Sequence, residues 1–321
     1  MSRTRFGVGT GTITVILTLL GWSTVPLLLR DLSESVDFWT NNGWRYGASA
    51  LFWLPLVLHA WWMRRLPGRI WRDALVPSIA NIAGQVAFTA AHHEVGPGMV
   101  TFGLRTQLVF VAIGAWILIP AERGVLKSRQ YLGGAALLVA GLMPILIGGE
   151  VGGRGAPPGG SVSLGIALSI FSAASYGAYG LTVRRNMSSY HPITAFAVIC
   201  QITALGLVAL MLVFGRDHGM YVPQLSAQVL ASLAISAFIG IAIGHVFYYI
   251  SIAKLGVAIT SGVLQLQPFL VSAASYFLYG ERFTWWQWTG GMTAICGATL
   301  MLAAQGAGSR KLAMASTEGS D

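Results

Sequence analysis

The residues that could bind a solute lie inside long apolar segments of the chain, where polar groups are rare. Arg105 is the strongest candidate, because a charge at depth in a bilayer costs about 2.5–3.5 kcal/mol and must face protein or water. Its guanidinium could hold a carboxylate through two parallel hydrogen bonds. The alternative is a structural arginine, bonded to backbone carbonyls or to Glu94.

Ten further polar or aromatic side chains fall within the apolar segments. Gln85 and Thr89 are four residues apart and therefore share a helix face, and His245 and Tyr249 have the same spacing. A polar stripe of this kind either ties helices together or lines a cavity, and both uses are compatible with the sequence. The complete set of solute-binding candidates is Trp22, Gln85, Thr89, Arg105, Gln107, Tyr176, His245, Tyr248, Tyr249, Gln265 and Gln267.

His245 is the only histidine well inside an apolar segment. An imidazole titrates near neutral pH, so this side chain could exchange a proton. The structural alternative is a neutral histidine that donates to a backbone carbonyl. Proton coupling therefore stays open at this point.

A second arginine, Arg45, lies closer to the end of its apolar segment. We expect a structural role for it, either extending to the membrane interface or pairing with Asp31, Glu34 or Asp37 in the preceding loop. No aspartate or glutamate lies securely in the middle of an apolar segment, which argues against a proton antiporter driven by a carboxylate. The acidic residues near segment ends, where helix capping is the usual role, are Glu94, Glu122 and Glu281.

No pattern of catalytic or metal-binding residues is recognisable. His92, His93 and Glu94 are adjacent rather than spaced by four, which favours a turn over a metal site. A nucleophile with a base, a cofactor motif and a nucleotide-binding motif are all missing from the sequence. We therefore predict no catalytic residue, no metal, no cofactor and no use of ATP.

The composition is that of an integral membrane protein. The chain has 321 residues, of which 55% are apolar and only 10% charged, against about 25% charged in soluble domains. The net charge of +9 comes from short basic clusters between apolar segments. Such clusters set orientation in a membrane and do not indicate a nucleic-acid partner.

Ten apolar segments are long enough to span a bilayer. Their predicted bounds are 8–29, 40–62, 74–92, 97–119, 129–148, 163–183, 192–214, 227–252, 257–279 and 285–305. Of the 20 Lys and Arg residues, 14 fall on the side of the termini, four on the other side and two within spans. Both termini are therefore predicted to be cytoplasmic, in a multi-pass protein of the inner (plasma) membrane.

The spans divide into two groups of five. The predicted units are a first repeat at 1–148, a Gly- and Pro-rich linker at 149–162, a second repeat at 163–305 and a disordered cytoplasmic tail at 306–321.

The two groups are related in sequence. Adding 160 to the residue number carries 84–118 onto 244–278 without a gap, and the match includes polar positions such as Gln107 and Gln267. Because each copy has an odd number of spans, the second copy enters the membrane upside down. Secondary transporters have such inverted repeats, with the binding site near the midplane between them. The symmetry predicts an all-α membrane fold of ten transmembrane helices, as two inverted five-helix repeats around a central cavity.

A family resemblance agrees with this architecture. The pattern in residues 259–302 comprises Pro268, the triplet Gly280, Glu281 and Arg282, then Gln287 and the glycine pair 290–291. It resembles the C-terminal signature of the EamA-type family of the drug/metabolite transporter superfamily. Gly21, Trp22 and Ser23 in the first span, and Arg45 with Tyr46 in the second, resemble first-half features of that family.

The first half departs from the family pattern at one place. Leu108 stands where the family commonly has a proline that matches Pro268. The resemblance therefore does not imply a proline hinge in the fourth span.

The resemblance implies transport, since known family members export amino acids and other metabolites. The sequence thus predicts a secondary transporter that exports a small polar metabolite, most of all amino acids, by alternating access. An uptake carrier and a multidrug exporter are alternatives with the same fold. A non-transporting membrane receptor or a membrane enzyme are alternatives from another class.

Overall fold

The chain folds entirely into helices over the part that the computed structural model describes, residues 2–120, 123–148 and 157–318. The α-helices there are α1 (Ser2–Leu32), α2 (Phe38–Trp62), α3 (Arg69–Ala91), α4 (Pro97–Gly103), α5 (Gln107–Leu118), α6 (Arg123–Leu126), α7 (Arg129–Gly148), α8 (Val162–Asn186), α9 (Pro192–Phe214), α10 (Ala227–Ala237), α11 (Gly244–Leu255), α12 (Val257–Leu264), α13 (Gln267–Tyr279) and α14 (Trp285–Glu318). Seven helical stretches are long and apolar enough to cross a membrane: Gly9–Leu32, Arg69–Ala91, Pro97–Leu118, Arg129–Gly148, Val162–Asn186, Pro192–Phe214 and Ala227–Leu255.

The outer surface of the helices is strongly apolar. Large side chains such as Leu51, Leu205 and Phe277 are more than two-thirds exposed. Trp285 and Trp286, at the start of α14, are exposed to the same degree. A surface of this kind is stable in lipid, where tryptophan favours the interface.

Several helix bounds differ from the sequence prediction, among them those of α3 and α14. Helix α3 begins at Arg69 rather than at residue 74, and its polar first turn contains an ion pair between Arg69 and Asp73 (3.1 Å). Helix α14 continues to Glu318, whereas the sequence predicts a disordered tail from residue 306. The Ala, Leu, Met and Lys residues of this stretch are strong helix formers. The division into repeats, linker and tail stays a prediction, and most of the linker lies outside the described residues.

Three predicted spans are interrupted rather than continuous. A 3₁₀ turn (Leu104–Thr106) separates α4 from α5, and a π-helical turn (Phe238–Ile243) separates α10 from α11. Between α12 and α13 the chain breaks at Gln265, and Pro268 lies in the first turn of α13. Leu104–Thr106 is equivalent to residues 264–266 in the internal repeat, so the first half has the same break without a proline. The Thr106 hydroxyl stabilises it by donating to Gly103 O (2.7 Å).

Helices α7 and α14 form the most extensive helix pair, and glycines allow their close approach. A Cβ atom at Gly134 would lie 2.7 Å from Gly297 O, and one at Gly141 would lie 2.5 Å from Gly290 O. Backbone therefore contacts backbone at both crossings, which only glycine permits. The two pairs run in opposite order along the helices, so α7 and α14 are antiparallel.

Asp37 joins the loop before α2 to the loop between α9 and α10. Its carboxylate accepts hydrogen bonds from Thr40 N (2.9 Å), Thr40 Oγ1 (2.7 Å), Arg216 N (3.2 Å) and the Tyr221 hydroxyl (3.2 Å). Burial by itself would raise the pKa of this carboxyl, but the hydrogen bonds from Thr40, Arg216 and Tyr221 outweigh it and lower the pKa below the ordinary value. Asp37 thus caps α2 and connects the two halves of the chain.

Asp37→Asn is expected to lower the free energy of unfolding at pH 7 by about 1–2 kcal/mol, because the amide cannot accept all the hydrogen bonds of the carboxylate. The native pKa of Asp37 lies below its unfolded value. The stabilisation is therefore fully present above about pH 4 and is lost as the pH falls through the lowered native pKa.

Thermal melting in detergent from pH 7 to pH 3 measures both effects. Asp217→Asn is the matched control, since the Asp217 carboxylate makes no hydrogen bond among the described residues and asparagine tolerates its positive φ of 46°. Equal melting temperatures for the two variants at pH 7 would contradict the role of Asp37.

Candidate functional site

A cavity of about 350 Å³ lies among helices from both halves of the chain, at the three helix interruptions. Of the eleven candidate residues, all except Thr89 line it. Thr89 is fully buried, and its hydroxyl donates to Asn42 Oδ1 (3.0 Å). It follows that Thr89 ties α3 to α2, although it shares a helix side with Gln85.

Arg105 lies in the 3₁₀ turn and crosses to the second half of the chain. Its Nη2 donates to Gln267 Oε1 (2.9 Å), and its Nη1 faces Leu264 O (3.3 Å) and Gln265 Oε1 (3.5 Å). Its Nε donates to Thr101 O (3.3 Å). Backbone carbonyls accept from it, as the structural alternative predicts, but Glu94 does not. Every acceptor is neutral, so the positive charge is held in place without being neutralised.

Gln267 continues this chain of contacts toward the first helix. Its Nε2 donates to Trp22 O (2.7 Å), and the Trp22 indole in turn donates to Gly240 O (3.2 Å) in the π-helical turn. The wider turn leaves this carbonyl available, as π-helical turns at functional sites often do. Trp22 therefore has a fixed orientation in the cavity wall.

Aromatic rings make up much of the remaining wall. Trp22 contacts Tyr248 with ring centroids 5.2 Å apart, and His245 stacks on Phe196 at 4.5 Å. The His245 Nδ1 lies 3.1 Å from Ile241 O, which is the arrangement of the structural alternative for this histidine. Its Nε2 is the ring nitrogen left for a solute or a proton.

The structure corrects the expectation for Arg45. This residue is only 2% exposed and lines the cavity, so it does not extend to the membrane interface. None of the three expected carboxylates pairs with it. Asp37 binds Thr40, Glu34 pairs with Arg30 at 3.1 Å, and Asp31 accepts from the Tyr279 hydroxyl at 2.8 Å. The sequence did contain a signal for a functional role of Arg45, because placing an arginine within a membrane span has a high free-energy cost at any depth.

The acidic residues near span ends have capping or loop roles where they are described. Glu281 is buried and accepts from Gly98 N (3.0 Å) and Met99 N (3.1 Å) at the start of α4. Glu94 accepts from Ser161 N (2.7 Å) before α8. Glu122 lies outside the described residues. Among those that are described, no aspartate or glutamate lines the cavity.

Asn81 is a cavity residue that sequence reasoning overlooked. Its side-chain amide donates to the Tyr46 hydroxyl (3.2 Å) and to Thr203 Oγ1 (3.3 Å), which joins α2, α3 and α9. An asparagine in the middle of an apolar segment was the available signal.

A chain whose described residues are helical, with seven apolar helices of membrane-spanning length among them and a polar internal cavity, is a polytopic membrane protein able to enclose a small solute. The profile of the EamA-like transporter family matches residues 9–147 and again residues 163–303. The chain belongs to this family and is a membrane transporter of the drug/metabolite superfamily, whose members are transporters rather than enzymes.

Other comparisons bear on the fold alone. A solved crystal structure superposes with a TM-score of 0.61 at 15% sequence identity, over 92% of this chain and 98% of that chain. Among curated proteins, none matches the chain significantly.

Proposed function

We propose that this protein exports a small polar metabolite, with amino acids as the leading class, by alternating access across the cytoplasmic membrane. The observation that carries the proposal is the uncompensated charge of Arg105 at the cavity. A solute carboxylate could bind this charge, while its ammonium group lies over the aromatic faces of Trp22 and Tyr248.

Contacts between equivalent residues support two inverted five-helix repeats and ten transmembrane helices. Arg105 and Gln265 are 160 positions apart, the offset of the internal repeat, and their side chains lie within 3.5 Å. Equivalent residues meet in this way near a two-fold axis. The antiparallel pair α7 and α14, the last helix of each half, fits the same symmetry. Alternating access would move one repeat against the other about this axis.

Loop contacts support the proposed grouping of the loops onto two sides of the membrane. Asp37 and Arg216 touch, and both belong to loops that the charge distribution places outside. Glu281 reaches the first turn of α4 on that same side. On the cytoplasmic side, the Tyr190 hydroxyl donates to Asp73 at 2.7 Å.

The rival functions predict other cavities. A multidrug exporter should have a negative or purely aromatic wall, whereas this wall carries two arginines. A membrane enzyme should gather a nucleophile and a base, or metal ligands, at one depth, and the described residues contain no group of His, Cys, Asp and Glu that could hold a metal. An uptake carrier shares the fold and differs only in the direction of net transport.

Counterflow in proteoliposomes tests the function. Vesicles loaded with unlabelled amino acid should accumulate the labelled compound only when they contain the protein. Gly180→Leu should strongly reduce this uptake, because Gly180 lines the cavity and a Cβ atom there meets no other atom within 4 Å, so the leucine side chain can occupy the cavity. Gly133→Leu is the matched control, since that position is equally open but lies outside the cavity. Absence of counterflow for every amino acid and related metabolite would contradict the proposal.

Any proton coupling is expected to depend on His245. An imposed pH gradient should change counterflow in the wild type, and His245→Gln should abolish the change because glutamine keeps hydrogen bonding but does not titrate. A full response to the gradient in His245→Gln would assign the coupling to another group.

A further inference from the structure

Arg45 is a buried cation, and two of its three guanidinium nitrogens lack a hydrogen-bond partner among the described residues. These two nitrogens are Nε and Nη1, and both are buried. No Asp or Glu carboxylate among the described residues forms an ion pair with it. A buried guanidinium without partners is costly, so a residue retained in this state needs a compensating role.

Arg105 differs from Arg45 in this respect. Four acceptors engage it, at Thr101, Leu264, Gln265 and Gln267, so most of its N–H groups are already used. Arg45 is therefore the arginine of the cavity with donors left for an anionic group.

The two charges border the same part of the cavity. Arg105 binds Gln267, which binds Trp22, whose indole binds Gly240 O. A Cβ atom placed on Gly240 would lie 3.6 Å from Arg45 Nη2. The series of hydrogen bonds that begins at Arg105 therefore ends next to Arg45. Two positive charges thus flank Trp22, and no carboxylate among the described lining residues balances them.

From this arrangement we propose that the preferred solute is a small dianion, with one negative charge bound by Arg45 and the other near Arg105. The proposal rests on the transport function above and, among small polar metabolites, ranks dianions ahead of amino acids with a single carboxylate. Two separated carboxylates or one doubly charged phosphate group would both satisfy it, because guanidinium groups bind either by the same fork geometry.

Ligand affinity of the purified protein in detergent is the direct test. The probes are succinate, its monoamide and its diamide, together with glycerol 3-phosphate and glycerol. We expect at least one dianion to bind the wild type about one to two orders of magnitude more tightly than the monoamide, the range for one charge-assisted contact. In Arg45→Met this preference should vanish, while the monoamide still binds more tightly than the diamide through Arg105. Arg45→Lys should recover part of the preference.

Thermal stability without ligand separates binding from a structural role. Arg45→Met should melt at a higher temperature than the wild type, since it removes an unpartnered buried charge. A dianion should raise the melting temperature of the wild type but not of Arg45→Met.

The outcomes are distinguishable. Equal affinity of the wild type for both dianions and the monoamide would overturn the proposal, as would loss of folded protein in Arg45→Met. The transport function would survive either result if counterflow of a monocarboxylate persisted. Comparing the affinities for succinate and glycerol 3-phosphate shows whether a dicarboxylate or a phosphate is the preferred dianion.

Discussion

Arg105→Gln is expected to weaken the binding of carboxylate-bearing substrates by about one to two orders of magnitude, which corresponds to roughly 1.5–3 kcal/mol. The substitution copies the residue at the equivalent position of the second repeat, Gln265, so the helix break should accept its shape. Arg105→Lys keeps the charge but loses the planar fork that Thr101, Leu264 and Gln267 hold. Its effect should be smaller.

Counterflow competition by an amino acid and by its amide measures the effect. The wild type should prefer the acid, and Arg105→Gln should lose most of that preference. A compensating substitution is also available, because the side chains of Arg105 and Gln265 lie within 3.5 Å of each other. The double variant Arg105→Gln with Gln265→Arg returns a guanidinium to the same part of the cavity and should restore part of the preference.

An unchanged preference for the acid in Arg105→Gln would show that Arg105 does not bind the substrate. Loss of folded protein in Arg105→Lys, Arg105→Gln and the double variant would support the structural alternative, in which this arginine holds α4 and α12 together.

Gly141→Ala is expected to have the second large effect, on folding. A Cβ at Gly141 would meet Gly290 O at 2.5 Å and the backbone of Ala294, and backbone cannot rotate away as a flexible side chain can. Helices α7 and α14 must then separate. Overpacking of this kind costs about 1–3 kcal/mol or more. We expect less monodisperse protein in size-exclusion chromatography and a lower melting temperature.

Gly133→Ala is the control in the same helix. A Cβ there meets nothing within 4 Å, so the variant should gain up to about 1 kcal/mol from helix propensity alone. Similar behaviour of the two alanine variants would contradict the backbone contact between α7 and α14.

Much of the fold follows from local properties of the sequence. Apolar segments of about 20 residues must become helices in a bilayer, because no water is present to satisfy their backbone groups. Helices α2, α5, α7, α9 and α13 therefore begin or end within two residues of the predicted bounds. The interruption at Leu104–Thr106 was not predictable in this way. Beside the local Thr106 contact, Arg105 in this turn makes hydrogen bonds to the second half of the chain, 159 or more residues away.

The candidate site was predictable in composition but not in every contact. Helical spacing places Gln85 and Thr89 on one side of α3, and only the position of α2 decides that Thr89 binds Asn42 instead of lining the cavity. Arg45 is the opposite case, a residue that lines the cavity although the sequence did not predict it there. The free-energy cost of placing an arginine in the membrane follows from the sequence, whereas the direction of the Arg45 side chain depends on the packing of α2 against α9 and the π-helical turn.

The sequence by itself determined the membrane environment, the helices, the internal repeat and the family, because each depends on hydrophobicity and spacing along the chain. Only the tertiary structure decided which polar groups have partners. Asp37 has several hydrogen-bond donors around it, whereas Nε and Nη1 of Arg45 have no acceptor among the described residues. Hydrogen bonds act over about 3 Å, and such distances between remote residues are set only when the helices have packed.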